Sequence, residues 1–174
     1  MLRHRKTTDV TRTSAKLEEF QVKTWIDCGK STDDIFKLRV DQKGDALLKS
    51  PVLNIWQSYV RQLNKNPDKV LFSEMKTRSN DEELAKVLAA AKNNRNTVFI
   101  AERLENIHLQ YFQKNGSTAE NVFILLRLDK EGDRVLESPI FSTWDQVKRE
   151  KSRPGNALDP AEKIRRHVFG GNGC

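Results

Sequence analysis

The chain has 174 residues, of which 37% are hydrophobic and 32% are charged, and its formal net charge at pH 7 is +7. This length is enough for one domain with a buried core. The longest apolar runs, such as 122–126, span only a few residues, which excludes a bilayer-spanning helix, and no charged-then-apolar signal peptide opens the chain. The two cysteines, Cys28 and Cys174, lie in unrelated contexts, so we expect no disulfide framework.

The positive charge is concentrated at the two ends. Residues 1–24 carry six Lys and Arg against three acids, and residues 148–174 carry seven against three. Residues 25–147 carry 18 of each sign, so the middle of the chain is neutral. Because phosphate binding needs a basic face, this distribution argues against a nucleic-acid groove. A basic nuclear protein that associates with nucleic acid through its charged ends remains the alternative function.

A capping motif separates the first two predicted helices and starts the second of them. An N-terminal helix carries Leu17 and Trp25, and Ser31-x-x-Asp34 follows it. In such a motif the serine hydroxyl accepts a hydrogen bond from a free helix amide, and the acid complements the helix dipole. We therefore expect a short second helix that begins here.

A longer helix is predicted from Ser50-Pro51, since serine suits the N-cap and proline suits the first helical position. Further helices are predicted at about 68–76, 81–92 and 97–112. No segment alternates apolar and polar residues as a strand would, so the predicted fold is all-α. The longer helix has one apolar stripe, formed by Leu53, Trp56, Val60 and Leu63.

An internal repeat organises the chain. Residues 41–56, which contain Asp-x-x-Gly-Asp, Ser-Pro and Trp, recur 88 residues later as 129–144, and residues 25–36 match 111–123. We expect the glycine of each copy to form a turn with positive φ. The second copy repeats the capping motif as Ser117-x-x-Glu120. Its apolar stripe is cut short, because lysines 148 and 151 stand where the first copy has Val60 and Leu63.

These motifs resemble the WY and LWY repeats of the RxLR virulence effectors of Phytophthora and related oomycetes. The likeness covers roughly residues 17–147 and is carried by LLxSPxLxxWxxYV at 47–60, LA and AAAK within 84–92, TVFIAxxLE at 97–105 and VFxLLxLD at 122–129. The resemblance implies WY/LWY-type helical bundle repeats. In these, aromatic side chains at a W position and a Y position meet in the core, and an L segment bridges one bundle to the next.

Carried over to this chain, the resemblance implies a W-Y-W arrangement, with Trp56 and Trp144 at W positions and Tyr111 at the Y position. The expected W/Y core consists of Leu53, Trp56, Val60, Leu104, Tyr111 and Trp144. The expected segments are a flexible basic N-terminal segment at 1–13, a helix at 14–30 equivalent to the end of a Y half-unit, a complete L-W-Y unit at 31–112, a second L segment with a truncated W half-unit at 113–150, and a basic tail at 151–174.

The resemblance also implies the function. It indicates a secreted virulence effector that acts inside plant host cells, in the nucleus or cytoplasm, by binding a host signalling protein and suppressing immune signalling. The residues themselves favour a protein without enzymatic activity. His4, His108 and His167 lie away from any Cys or acid at metal-ligand spacing, and Asp-x-x-Gly-Asp lacks the closing glutamate of a calcium loop. We therefore predict no catalytic residue, no metal and no cofactor.

Two surface features are predicted in the C-terminal part. A truncated half-unit cannot bury all its apolar side chains alone, so we expect a homodimer unless the L-type and N-terminal helices cover them. The expected dimer surface consists of Ile140, Phe141, Trp144 and Val147. A second set of residues reads either as a nuclear-import signal or as a solvated tail. This basic cluster consists of Lys148, Arg149, Lys151, Arg153, Lys163, Arg165 and Arg166.

Overall fold

A computed structural model describes residues 3–39 and 44–152 of the chain. Over these ranges the backbone forms α-helices and two short 3-10 helices, without any strand, so the fold class is all-α as predicted. The 3-10 helices are Leu128–Lys130 and Gly132–Glu137. The α-helices are α1 (Arg3–Asp27), α2 (Thr32–Arg39), α3 (Asp45–Lys49), α4 (Pro51–Gln62), α5 (Pro67–Arg78), α6 (Asp81–Lys92), α7 (Val98–Lys114), α8 (Ala119–Leu125) and α9 (Phe141–Lys151).

Local signals in the sequence explain where the helices begin. Helix α4 starts at Pro51 after the N-cap residue Ser50, as the Ser-Pro pair predicts. At α5 the side chain of Asn66 accepts a hydrogen bond from the backbone N–H of Lys69 at 2.9 Å. Helix α6 has a full capping box between Asn80 and residue 83. None of the helices in the described ranges has the length and apolarity that a membrane span requires.

The chain forms two compact units, one within Met1–His108 and one within Leu109–Cys174, so the boundary lies inside α7. In the first unit, α4 packs against α1, α2 and α5, and its apolar stripe lies in the core. In the second unit, α8 packs against α9, and the two 3-10 helices connect them. Each unit therefore has a short helix, α2 or α8, at the place of the expected L segment (here the L-type helix), packed on the helix that carries the tryptophan expected at the W position.

The ends of α1 and α7 show that the two copies share one backbone geometry. The N–H of Lys30 donates to the carbonyl of Trp25 at 3.1 Å, and the N–H of Ser117 donates to the carbonyl of Phe112 at 3.0 Å. The preceding glycines have φ of 60° and 65°, the left-handed conformation that glycine adopts without strain. The structural offset at this point is therefore 87 residues, which makes Phe112 the equivalent of Trp25.

The offset of 87 residues also shows where the second capping motif begins. In the first copy, the predicted box is present: the N–H of Asp34 donates to the Ser31 hydroxyl at 3.0 Å. In the second copy, the N-cap is Thr118, whose hydroxyl accepts from the N–H of Asn121 at 3.1 Å. The predicted box at Ser117 and Glu120 is therefore wrong by one residue, because Thr118 and not Ser117 lies 87 residues after Ser31.

Replacing Thr118 with alanine should lower the free energy of unfolding by about 0.5–2 kcal/mol, the usual cost of losing an N-cap hydroxyl. Replacing the adjacent Ser117 with alanine should change it by less than about 0.5 kcal/mol. Urea unfolding followed by circular dichroism measures both values. A larger loss for the Ser117 variant would show that the helix begins at the residue that the sequence pattern favours.

Candidate protein-interaction site

The W-position tryptophan of the first unit is completely enclosed. The indole N–H of Trp56 donates to the carbonyl of Thr32, the first residue of α2, at 2.9 Å. Its ring meets the ring of Phe36 edge-on, with 5.1 Å between the centroids. Both side chains are 0% exposed, and Leu53, Val60 and Leu104 are buried in the same core. This arrangement anchors α2 to α4.

The second unit repeats this arrangement around Trp144. Its indole N–H donates to the carbonyl of Ala119, the first residue of α8, at 2.8 Å. Its ring meets the ring of Phe123 edge-on, with 5.2 Å between the centroids. Here, however, both aromatic rings are only half-buried. The two units therefore share the contact between the L-type helix and the W-position tryptophan but differ in what covers it.

In the first unit, helix α5 lies beside this contact. In the first unit α5 packs against α4, and the guanidinium of Arg78 at its end lies 4.6 Å from the centroid of the Phe36 ring. No helix follows α9 within the described part of the chain. Among the described residues, this part of the second unit forms a groove of about 720 Å³ between α8 and α9, here named the α8–α9 groove. It is lined by Thr118, Ala119, Glu120, Phe123, Ile124, Trp144, Lys148, Lys151 and Ser152.

The α8–α9 groove has an apolar floor and a charged rim. Its floor includes the exposed side chain of Ile124 beside the two aromatic rings. The ammonium of Lys148 lies 5.0 Å from the centroid of the Trp144 ring, and Lys151 is exposed one turn further along α9. Opposite them, hydrogen bonds from its own backbone N–H and from the Thr118 hydroxyl hold the pKa of Glu120 below its ordinary value. The two aromatic rings, the side chain of Ile124 and the two lysines make this surface suitable for binding a polypeptide.

The Y position is not where the sequence places it. Tyr111 is 38% exposed, whereas the next residue, Phe112, is 0% exposed. In the first unit, Trp25 meets the ring of Tyr59 edge-on, with 5.5 Å between the centroids, and the Tyr59 hydroxyl donates to the carbonyl of Lys30. Because Phe112 is the equivalent of Trp25, the predicted core position of Tyr111 is wrong by one residue.

Only part of the expected dimer surface is exposed to solvent. Ile140 is 0% exposed and Val147 is 2% exposed, because α9 packs against α8 and the second 3-10 helix within one chain. The expectation that these two side chains lie at the surface is wrong. Phe141 and Trp144 are half-buried, and their rings are in contact, with 5.3 Å between the centroids. The homodimer itself remains a prediction.

Three residues of the predicted basic cluster lie on α9. Lys148, Arg149 and Lys151 are exposed, and Arg149 forms an ion pair of 2.8 Å with Asp145 one turn earlier. The remaining members, Arg153, Lys163, Arg165 and Arg166, lie outside the described residues. The described part of the cluster borders the α8–α9 groove, since two of its three lysine and arginine side chains line it.

A buried ionic cluster in the first unit has no signal in the sequence. His108 is fully buried, and its Nε2 lies 2.8 Å from Oδ1 of Asp81, the first residue of α6. The ammonium of Lys76 lies 2.7 Å from the same carboxylate oxygen. Burial acts to raise the pKa of Asp81, but the hydrogen bonds and charges of His108 and Lys76 outweigh it, so the pKa lies below its ordinary value. The cluster joins α5, α6 and α7.

The lowered pKa of Asp81 predicts an acid-dependent loss of stability. A carboxyl whose pKa is lower in the folded than in the unfolded chain stabilises the fold above its unfolded pKa of about 3.9, and the effect is lost as pH falls through the folded pKa. An Asp81→Asn variant lacks this contribution. The difference in unfolding free energy between the two proteins should therefore shrink between about pH 5 and pH 2. A pH-independent difference in urea titrations would contradict this assignment.

No group of three or more His, Cys, Asp or Glu side chains able to hold a metal ion occurs among residues that the structure describes. The open surface of the second unit thus combines the apolar floor of the α8–α9 groove with basic side chains on α9. These groups suit recognition of another macromolecule by shape, apolar contact and charge.

Comparison with known proteins identifies relatives of this chain, although no family model matches it. It is 37% identical over 135 residues to the RxLR effector protein PSR2 of Phytophthora sojae. This match covers 75% of this chain and 20% of PSR2. It is 32% identical over 130 residues to the RxLR effector protein CRE15 of Phytophthora infestans, covering 74% of this chain and 37% of CRE15. The chain thus spans about a fifth to two fifths of the length of these relatives.

A solved structure shows the same relationship. The crystal structure of PcRxLR12 matches with a TM-score of 0.62 and 28% identity, covering 86% of this chain and 36% of that one. The relatives are named as effector proteins and not as enzymes. RxLR effectors are secreted virulence proteins that are delivered into host cells. The sequence and structural likeness together show that this chain belongs to the RxLR effector proteins of Phytophthora.

Proposed function

We propose that this chain acts inside plant host cells by binding a host signalling protein and suppressing immune signalling, without catalysing a reaction. The observation that carries this proposal is the half-buried pair of Trp144 and Phe123 in the α8–α9 groove. The equivalent pair in the first unit is completely enclosed by its own chain. An apolar surface with a polar rim is typical of a protein-interaction site.

The chemistry of the described surface supports binding rather than catalysis. Trp and Tyr are enriched where binding energy is concentrated, because they bury a large apolar area and keep one polar group. The ring of Trp144 supplies such apolar area, since it is half-buried and lines the groove, while its indole N–H is held by the carbonyl of Ala119. The buried Asp81 and His108 stabilise the first unit, with the His108 ring fully enclosed in the core.

The host nucleus and cytoplasm are both proposed as places of action. Lys148, Arg149 and Lys151 are exposed on α9, as a nuclear-import receptor requires of its basic signal. Imaging a fluorescent fusion in leaf cells tests this proposal. Replacing all three residues with glutamine should reduce the nuclear fraction, and an unchanged distribution would contradict a role of these residues in import.

Expression of the full chain in leaf tissue tests the function. We expect stronger pathogen growth and a weaker early immune response than in tissue expressing a Trp56→Ala variant, whose first unit should not fold. Affinity capture from the same tissue should recover a host protein with the intact chain only. An immune response that equals the vector control, at confirmed accumulation of the intact chain, would overturn the proposal.

A further inference from the structure

We infer that the α8–α9 groove binds an amphipathic helix of a partner protein, with apolar residues along one face and acidic residues along the edge that meets α9. This inference rests on the proposed function, because it specifies the surface and the partner chemistry of that binding. It is drawn from a comparison between the two copies within this chain. The first copy shows how the surface is covered, and the second shows how its chemistry has changed.

A helix is the expected occupant because a helix covers the equivalent surface in the first unit. There, α5 packs against α4 and reaches the Phe36 ring with Arg78. The second unit has the same hydrogen bond between tryptophan and the L-type helix and the same edge-on aromatic pair, with centroid distances of 5.1 and 5.2 Å in the two units. The supporting helices thus have matching local geometry, and a groove between two helices accepts a third.

Acidic residues are expected because the wall formed by α9 is basic where the wall formed by α4 is apolar. Lys148 stands at the position of Val60, and Lys151 stands at the position of Leu63. Val60 is completely buried in the first core, whereas both lysines line the open groove. An apolar occupant would remove water from two ammonium groups without replacing their hydrogen bonds. Carboxylates facing α9 would pair with them instead.

The wall of the groove that α8 forms is more apolar than the equivalent surface of α2. Ile124 of α8 stands at the position of Lys37 of α2, an exposed lysine that forms an ion pair of 2.6 Å with Asp33. The buried side chains of α5 are Leu71, Phe72 and Met75, so a helix of this type would place apolar residues against the lysines of α9. These substitutions between the two units favour a partner whose acidic edge lies along α9 and whose apolar face lies along α8. They argue against a further helix of the α5 type as the occupant.

A peptide titration of the full chain tests this inference. The probe is a fluorescein-labelled helical peptide of 16 residues, with leucines along one face and glutamates on one flank. A matched peptide carries lysines in place of the glutamates. We expect saturable binding of the acidic peptide and binding at least about tenfold weaker for the basic one, because two attractions become two repulsions. Reversal of both groove charges, as K148E with K151E, should weaken the acidic peptide similarly.

The control variant is K114E with K130E, which changes the net charge equally at two exposed lysines that do not line the groove. It should bind the acidic peptide as the unchanged chain does. Equal binding of both peptides, or no effect of K148E with K151E, would overturn the inference. So would light scattering that shows a dimer dissociated by Trp144→Glu, since a second copy would then occupy the groove.

Capture from plant tissue separates this inference from the proposed function. If a host protein is captured equally by the intact chain and by K148E with K151E, the function stands and the groove is not the site. If the acidic peptide binds but no immune response changes, the groove assignment stands and the proposed function fails.

Discussion

Replacing Trp56 with alanine should unfold the first unit, because it lowers the free energy of unfolding by about 3–5 kcal/mol, the usual cost of truncating a buried large aromatic side chain. Trp56 is 0% exposed, contacts Phe36 and donates its indole N–H to Thr32, so one substitution removes the link between α2 and α4. Circular dichroism during urea unfolding measures the loss. Because native domains are stable by only about 5–15 kcal/mol, this loss removes a large share of the stability of the first unit.

The internal repeat supplies the matched control. Trp144 makes the same two contacts but is only half-buried, so Trp144→Ala should cost about 1–2 kcal/mol. Trp56→Phe keeps a ring in the core and leaves the Thr32 carbonyl without its indole donor, at an expected cost of about 1–3 kcal/mol. Equal losses for Trp56→Ala and Trp144→Ala would contradict the difference in enclosure between the two units.

The second large effect is expected at Phe112, beside the tyrosine that the sequence pattern favours. Phe112→Ala should lower the free energy of unfolding by about 3–5 kcal/mol, because the side chain is 0% exposed. Tyr111→Ala should cost less than about 1 kcal/mol, because its ring is 38% exposed. The two residues are neighbours on α7, so helix propensity and helix position are closely matched. Differential scanning calorimetry of both variants measures the contrast.

The contrast between these variants decides the position of the Y aromatic. A larger loss for Tyr111→Ala than for Phe112→Ala would restore the register in which Trp25 matches Tyr111. The backbone geometry argues for the other register, since the turns after α1 and α7 have the same hydrogen bonds at an offset of 87 residues.

Most of the fold follows from short-range signals. Ser50-Pro51 predicts the start of α4, the helix expected at about 68–76 lies within α5, and the helix expected at 81–92 has the bounds observed for α6. The expected turns at Gly44 and Gly132 have φ of 66° and 55°. Each of these signals acts within a few residues, so one sequence is enough to recognise it.

The register of α7 depends on long-range contacts instead. Its buried residues include Ala101, Glu105, His108 and Phe112, at spacings of four, three and four. Glu105 and His108 look like surface residues in the sequence, so the apolar pattern omits them. The structure buries Glu105 beside the ammonium of Lys92, 2.8 Å away, and His108 beside Asp81. Partners 13 and 27 residues away in the sequence determine which face of α7 is inside.

The α8–α9 groove is a second place where long-range contacts limit what the sequence predicts. The shortened stripe of the second copy predicts an open surface at Trp144, which is half-buried, but it does not reveal that Ile140 and Val147 are buried within the chain. Their burial results from tertiary packing, so the groove is lined instead by residues that include the aromatic rings, Ile124, Glu120 and the lysines. The exposed part of the expected dimer surface is therefore smaller than the sequence predicts.

Fluorine NMR of the full chain labelled with 5-fluorotryptophan tests the central claim most directly, namely that two matching units differ in how completely their W-position tryptophans are enclosed. Its three tryptophans should give three resonances, assigned by single Trp→Phe variants. With a soluble paramagnetic quencher, the Trp144 resonance should broaden strongly, whereas those of Trp25 and Trp56, which are 7% and 0% exposed, should not. A Trp144 resonance as well protected as that of Trp56 would contradict the open groove.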